Sequence, residues 1–187
     1  HLAFTALGLE PGDQVLTPAL NFVAAANCIR HAGGVPSFVD VASFEEPLVS
    51  PDLLERSITS HTRGICVMHY GGYPCAMDAV MELARRHGLW VVEDAAHAPG
   101  ASWMNVSCGA WGDVGCFSFF GNKNLTCGEG GMVTTASDGL AQKIRALRSH
   151  GMTSLTWDRY LGHQFSYDVS EAGFNYRMDD LRAAILR

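Results

Sequence analysis

The 187-residue sequence contains no apolar run that approaches the roughly 18 residues of a membrane-spanning helix. It also lacks the basic-then-apolar N-terminus of a signal peptide, any run of five like charges, and any internal repeat or low-complexity tract. Together with a formal net charge of -6, these absences argue against a membrane or a nucleic acid as partner. We expect a cytoplasmic globular domain that acts on a small molecule.

The usual sequence patterns of metal, disulfide and nicotinamide sites are also missing. The six cysteines form no CxxC pair, and the eight histidines include no HExxH spacing. Several cysteines lie in apolar runs, where a reduced thiol behaves as a small hydrophobic side chain. No GxGxxG follows the first predicted strand, which disfavours a nicotinamide-binding Rossmann domain. We therefore predict structural, reduced cysteines and no metal site.

The sequence does contain an alternation of short apolar runs and segments with helical periodicity. The runs are apolar at successive positions, which is typical of parallel strands that are buried on both faces. This alternation predicts a three-layer α/β fold, a mainly parallel sheet with helices on both faces. The predicted strands are Gln14–Leu16, Val35–Val39, Gly64–Met68, Trp90–Glu93, Val114–Phe119 and Met132–Thr135, and the predicted helices are Phe22–His31, Pro51–Ile58, Met77–His87, Gly139–His150 and Met178–Arg187.

Both ends of the sequence resemble elements that are cut short. Residues 1–9 resemble the end of a helix, have no initiator Met, and are followed by a turn at Pro11-Gly12-Asp13. The last predicted helix, from Met178, has only about two turns because the sequence stops at Arg187. We expect a single domain, 1–187, that is truncated at both ends.

Ligands of open parallel sheets bind beyond the carboxyl ends of the strands, so the residues after each predicted strand are the first candidates. Asp94 ends one apolar strand, where its carboxylate would hold a cation; the competing interpretation is that it caps the next segment. Lys123 lies between an aromatic strand end and a glycine-rich loop, where a partly desolvated amine can act as a nucleophile. The competing interpretation is an ordinary exposed lysine. A lysine for an imine and an aspartate for a pyridinium nitrogen are the two groups that a pyridoxal-phosphate (PLP) enzyme needs most.

Several longer motifs surround these two residues in a specific order. With them, the sequence resembles the DegT/StrS-type sugar aminotransferases, a branch of the fold-type-I PLP enzymes, over nearly its whole length. The resemblance implies that residues 1–187 are the PLP-binding large domain and that the small C-terminal domain is absent. The matching motifs are Pro11-Gly12-Asp13-Gln14-Val15, Asn21-Phe22-Val23-Ala24-Ala25-Ala26-Asn27, Glu93-Asp94-Ala95-Ala96-His97-Ala98-Pro99-Gly100-Ala101, Phe117-Ser118-Phe119 with Lys123-Asn124 and Gly128-Glu129-Gly130-Gly131, and Phe174-Asn175-Tyr176-Arg177-Met178.

The resemblance assigns the two catalytic roles to Lys123 and Asp94. Lys123 would form the Schiff base with PLP and, once freed by the substrate, move the proton between the substrate and the cofactor. Asp94 would pair with the ring nitrogen and keep it protonated, so that the ring can accept electrons. Since successive strand residues point to opposite sides, we expect only one of the adjacent carboxylates, Asp94 rather than Glu93, to face the ring.

The resemblance also implies four residues that bind the cofactor without reacting. Phe22 would stack on the ring, His97 would lie near its phenolic oxygen, Ser118 would bind the phosphate, and Asn175 would reach the phosphate of a neighbouring subunit, which implies a homodimer. A core phenylalanine and a capping or core histidine are the competing interpretations of Phe22 and His97. The sequence departs from the family in lacking the upstream Gly-Thr phosphate loop and in placing Asn21 where many relatives have Thr or Ser.

The activity implied by the resemblance is transfer of an amino group from glutamate or glutamine to a keto sugar nucleotide or a keto-cyclitol. One alternative is a PLP-dependent sugar dehydratase, in which the lysine position is typically histidine; the lysine is retained here. A second alternative is a regulatory or binding protein on the same fold without turnover, because folds host unrelated functions. The presence of both Asp94 and Lys123 favours the aminotransferase.

Overall fold

The structure, a computed structural model, describes residues 1–153, 160–162 and 166–187. In these ranges the elements largely follow the predicted alternation of strands and helices. The strands are β1 (Gln14–Pro18), β2 (Val35–Val39), β3 (Thr62–Met68), β4 (Trp90–Asp94), β5 (Ser102–Trp103), β6 (Val106–Ser107), β7 (Val114–Ser118) and β8 (Gly131–Thr134), and the helices are α1 (Leu2–Ala6), α2 (Ala24–His31), α3 (Pro51–Ser57), α4 (Met77–His87), α5 (Asp138–Leu147) and α6 (Asp180–Ile185), with a 3₁₀ turn at Tyr70–Gly72.

Six of the strands form one sheet in the order β2-β1-β3-β4-β7-β8. The first five strands run parallel, and β8 pairs antiparallel with β7. Helices α2, α3 and α4 connect β1 to β2, β2 to β3 and β3 to β4, since parallel neighbours need a crossover connection, whereas the segment from β4 to β7 contains the short strands β5 and β6. The predicted α/β class and mainly parallel sheet are confirmed.

The sheet is covered by helices on both faces, because alternate residues of its strands enter two separate cores. Val15, Cys66 and Val92 pack on one face with α1, α2 and α5. Leu16, Ile65 and Val91 pack on the other face with α3 and α4. This division explains why the strand sequences are apolar at successive positions, since both faces are buried. The three-layer arrangement is the predicted one. Among the described residues, no helix has both the length and the apolar character needed to cross a membrane.

Three helices begin at side-chain caps of the expected kind. Ser50, Ser137 and Asp179 each accept a hydrogen bond from the backbone N–H three residues later, which satisfies one of the free donors of the first helical turn. The predicted Gly139–His150 helix is α5, which ends earlier, at Leu147. The predicted Phe22–His31 helix begins only at Ala24, so Phe22 lies in the loop before it.

The small β5–β6 hairpin was not predicted. Its strands have two residues each, and its turn places Met104 and Asn105 at positive φ (47° and 63°). Such a two-residue turn usually contains glycine. With strands this short and Met at the first turn position, the sequence lacks the local signal of a hairpin.

One glycine of β3 permits an aromatic contact across the sheet. Gly64 pairs in register with Trp90 of β4, and a Cβ added at Gly64 would overlap the indole ring of Trp90. That ring also contacts Phe4 of α1 at a centroid distance of 5.8 Å. The missing side chain is therefore part of the packing of the first core.

We predict that Gly64→Ala lowers the free energy of unfolding of the full-length protein by about 1–3 kcal/mol, because Trp90 must leave its position. Gly139→Ala is the matched control, since a Cβ there meets only the Ser137 hydroxyl, at 3.8 Å. In this helical position the same substitution should stabilise by about 0.4–1 kcal/mol. Urea unfolding measures both. Equal effects in the two variants would show that the glycine–indole contact does not matter.

Candidate active site

The residues singled out by the sequence follow adjacent parallel strands, and the structure places them along one edge of the sheet. Asn21 follows β1, Asp94 ends β4, and Ser118 ends β7. In the parallel register, Met68 at the end of β3 lies opposite Asp94, which lies opposite Cys116 of β7. Because these strands are neighbours and point the same way, their following loops meet at the carboxyl edge.

Asp94 lies at the centre of this edge. Burial raises the pKa of its carboxyl group above the ordinary value, while the Ala96 N–H and the nearby His97, Asn21 and Lys123 act to lower it. Its Oδ1 accepts the Ala96 N–H at 3.2 Å, so it closes a local turn, and no helix begins there. The side chain thus does cap the segment that follows, as the competing interpretation has it, and this cap does not exclude a second role for the carboxylate. A cation placed beside this carboxyl would favour its ionised form.

Glu93, its neighbour in the chain, points to the opposite side and is completely buried. Its Oε2 accepts from His69 Nε2 at 3.0 Å and Gly109 N–H at 2.8 Å, and its Oε1 accepts the N–H groups of Trp111 and Gly112 at 2.8 and 2.7 Å. Burial acts to raise the pKa of Glu93, but these hydrogen bonds outweigh it and leave the pKa below its ordinary value. Glu93 is thus a structural anchor, and its four donors could not be found from the sequence.

His97 lies beside Asp94 and Lys123. Burial and the charge of Lys123 lower the pKa of His97, against the opposing effect of Asp94. Its Nδ1 accepts the Gly71 N–H at 3.3 Å, and its ring meets Tyr70 edge-on at 6.1 Å. His97 is half-buried and lies in a turn, so it is neither a core residue nor a helix cap.

The structure places Phe22, Ser118 and Lys123 around the same edge. Phe22 is 73% exposed, so the interpretation as a core phenylalanine is wrong and one face is free to stack. Ser118 is half-buried, and its Oγ accepts the Phe120 N–H at 3.4 Å. Lys123 is half-buried in the turn that follows, where its N–H donates to the Phe120 carbonyl. The interpretation as an ordinary exposed lysine does not fit this position.

Asn175 is the one predicted site residue that the structure does not join to the others. Its backbone forms an antiparallel bridge with Ser149, and its side chain is exposed. In the part of the chain that the structure describes, no hydrogen bond or ion pair links this side chain to the other five residues. That position is compatible with its predicted contact, which is with a second subunit.

A groove of about 650 Å³ lies elsewhere, between β8, α5 and α6. It contains none of the six predicted residues. This groove therefore does not mark the strand ends. The position of titratable groups at the carboxyl edge is the more informative signal.

Comparison with known proteins identifies the family of the chain. All 187 residues match the family model of the DegT/DnrJ/EryC1/StrS aminotransferase family. The chain belongs to this family. It is 43% identical over 188 residues to GDP-perosamine synthase of Caulobacter vibrioides, a match that covers 99% of the chain and 47% of that protein. The chain thus spans about half the length of the curated relatives it matches.

Solved structures of DegT/DnrJ/EryC1/StrS relatives have the same fold. DesV of S. venezuelae, solved in complex with a ketimine intermediate, is 38% identical with a TM-score of 0.88, over 99% of the chain and 47% of DesV. Spr1654 of Streptococcus pneumoniae, solved in a PMP form, is 25% identical with a TM-score of 0.86, over 99% of the chain and 53% of Spr1654. Spr1654 has also been solved in a PLP form. Enzymes of this family use pyridoxal phosphate.

The described residues fit the ring of that cofactor. An acid, an amine and an exposed aromatic ring stand at one edge, supplied by Asp94, Lys123 and Phe22. In addition, the Asn21 side chain lies beside the Asp94 carboxyl and, through hydrogen bonding, acts to lower its pKa. This favours the ionised acid that a protonated ring nitrogen would pair with. For the phosphate, Ser118 is the predicted donor at this edge.

Proposed function

We propose that this protein is a PLP-dependent aminotransferase that moves an amino group from glutamate or glutamine to a keto sugar nucleotide or a keto-cyclitol. The observation that supports it most directly is the position of Lys123 and Asp94 at the carboxyl edge of the sheet: burial raises the pKa of Asp94, and the charge of Lys123 acts against that rise. Family membership supports the reaction class. The names of relatives such as GDP-perosamine synthase support a sugar nucleotide as acceptor.

In the proposed mechanism, the chain contributes binding groups and one mobile proton. When bound, PLP supplies an electron sink for the electrons released at the substrate carbon. Lys123 would hold the cofactor, and its Nζ, once free, would take a proton and return it. The Asp94 carboxylate would keep the ring nitrogen protonated, and Phe22 and His97 would hold the ring by stacking and hydrogen bonding.

We further propose that residues 1–187 form the PLP-binding large domain of a homodimer, in which Asn175 contacts the phosphate bound by the partner. The exposure of Asn175 supports this. A cytoplasmic location is supported by the six cysteines, which are all free and of which four are buried, since reducing compartments keep thiols unpaired.

Two alternatives remain distinguishable by experiment. Lys123 argues against a sugar dehydratase of this fold, because such dehydratases typically have histidine where the aminotransferases have the Schiff-base lysine. A binding protein without turnover would have no need of a half-buried lysine close to a strand-end aspartate.

The test uses the full-length protein. We predict that borohydride reduction of the holoenzyme, followed by peptide mapping, places the pyridoxyl label on Lys123. Adding glutamate or glutamine before reduction should convert the absorption spectrum to the pyridoxamine form and prevent the label. A label on Lys143, whose Nζ instead donates to the Ala6 carbonyl at 3.0 Å, would refute the assignment. Labelling of Lys123 without conversion by any amino donor would refute aminotransfer.

A further inference from the structure

The loop of residues 69–75, which follows β3, is closed at its base by a histidine side chain. The Cys75 N–H donates to Nδ1 of His69 at 3.1 Å, and the Cys75 thiol donates to the Met68 carbonyl at 3.3 Å. The His69 N–H donates to the Asp94 carbonyl at 3.1 Å. The base of the loop is thus tied both to itself and to the strand that ends at Asp94.

The other ring nitrogen of His69 is fixed by Glu93. His69 is completely buried, and its Nε2 lies 3.0 Å from Oε2 of Glu93. Because Nδ1 accepts a backbone N–H, the ring proton must be on Nε2, and His69 is a neutral donor to the carboxylate. Glu93 therefore sets which nitrogen of His69 is free to hold the loop.

The tip of the same loop lies on His97. Gly71 and Gly72 adopt positive φ (62° and 87°), and the Gly71 N–H reaches Nδ1 of His97 at 3.3 Å. A Cβ added at Gly72 would lie 2.9 Å from the His97 carbonyl oxygen, so this close approach requires glycine. Since Nδ1 of His97 accepts an N–H, a neutral His97 has its proton on Nε2.

We propose that His69 and Glu93 are positioning residues of the cofactor site and that they act through loop 69–75. His69, oriented by Glu93, clamps the base of the loop; the clamped loop holds the Gly71 amide against His97; and the amide keeps the His97 proton on Nε2. The last consequence, that Nε2–H serves as a donor toward PLP, rests on the proposed function. The clamp of the loop by His69 and the tautomer of His97 do not depend on the proposed function, because both are properties of the chain itself.

Two conservative substitutions of His69 separate its two contacts. In His69→Gln the amide nitrogen can still donate to Glu93 from the position of Nε2, but no acceptor remains for the Cys75 N–H. In His69→Asn the amide oxygen can replace Nδ1 as that acceptor, while Glu93 keeps its three backbone donors. His61→Gln, at an exposed histidine, is the matched surface control.

The experiment measures hydrogen exchange and imidazole ¹⁵N shifts in the full-length, cofactor-free protein. We expect His69→Gln to accelerate exchange in peptides that cover loop 69–75 by about tenfold, the ratio for loss of one hydrogen bond of about 1.4 kcal/mol. The ¹⁵N spectrum should show His97 protonated on Nε2 in the wild type and as a tautomer mixture in His69→Gln. In His69→Asn, the exchange rate of the loop and the His97 tautomer should be closer to those of the wild type. In His61→Gln, both should equal the wild-type values.

Three outcomes would overturn the proposal: a proton on Nδ1 of wild-type His97, wild-type exchange and tautomer in His69→Gln, or equal losses in the Gln and Asn variants. The first needs no variant, so a folding defect cannot hide it. The binding constant for PLP, measured by fluorescence quenching, then shows whether the tautomer matters to the cofactor. If borohydride does not label Lys123 but the exchange and tautomer results are as expected, the proposed function is refuted and the role of His69 in holding the loop is supported.

Discussion

Replacing Lys123 with alanine is expected to reduce turnover of the full-length protein by at least about 10³-fold, while the protein still folds. The residue has two roles in the proposed mechanism, as covalent anchor and as proton carrier, and general acid–base catalysis alone contributes roughly 10²–10⁴-fold. Lys123 is half-buried in a turn, and its hydrogen bond to the Phe120 carbonyl is made by its backbone N–H. Little folding stability should therefore be lost with the side chain.

Lys123→Arg distinguishes chemistry from charge. Arginine keeps the positive charge near Asp94 and His97, but its guanidinium does not give up its proton and cannot take part in the transfer. We expect the arginine variant to be as inactive as the alanine variant and to lack the borohydride label. Lys143→Ala is the control and should keep turnover near the wild-type value. Substantial activity in Lys123→Arg would mean that Lys123 acts only as a charge.

The second large effect is a contrast between two adjacent carboxylates. Asp94→Asn should lower the rates of both half-reactions by roughly 10²–10³-fold, the range for removing one preorganised electrostatic contact in an active site. Burial raises the pKa of Asp94, so its charge is unfavourable to the folded protein without a bound cation. The asparagine variant should therefore be at least as stable as the wild type in the absence of PLP.

Glu93→Gln should mainly lower folding stability and should affect the rates of the half-reactions less. Each carboxylate oxygen of Glu93 accepts two donors, so either orientation of a glutamine places its NH₂ group against two other donors. We expect a loss of about 2–6 kcal/mol of folding stability, because two buried donors are left without an acceptor at about 1–3 kcal/mol each. Because hydrogen bonds hold the pKa of Glu93 below its ordinary value, its contribution is present above the pKa of an unfolded glutamate and is lost as pH falls through the folded pKa.

Urea unfolding between neutral and acid pH checks this, and rates are then compared per folded molecule. The stability gap between wild type and Glu93→Gln should narrow in acid. The activity of folded Glu93→Gln should fall less than that of Asp94→Asn. A larger loss for Glu93→Gln would mean that the wrong carboxylate has been assigned to the cofactor.

Local patterns were sufficient to predict the sheet and the region of the site. Strands such as β3 and β4 are buried on both faces, so their apolar runs are visible without knowing their neighbours. Residues at or beyond the carboxyl ends of the parallel strands, including Asp94 and Lys123, could be placed at the carboxyl edge by topology alone. Their roles at the cofactor remain predictions.

Contacts between distant segments could not be predicted in this way. The donors to Glu93 come from positions 69, 109, 111 and 112, and no local periodicity records which buried carboxylate they surround. Likewise, Phe22 has the composition of a core residue, and only the start of α2 at Ala24 shows that it stays outside the core. The place of His69 directly after β3 indicates this residue in the sequence just as a strand end indicates Asp94, but its contacts with Glu93 and Cys75 are not visible there.

The order of strands in the sheet also bears on how the site assembles during synthesis. Asn21 and Lys123 are about a hundred positions apart in the chain, and β3 and β4 lie between their strands in the sheet. Pairings of this separation require closure of long loops and form slowly compared with local hairpins. A nascent chain that has only just exposed β4 has Asp94 but neither β7 beside it nor the lysine that follows β7. If Lys123 and Asp94 hold the cofactor as proposed, it cannot be captured on the ribosome before residue 123 has emerged and β7 has joined the sheet.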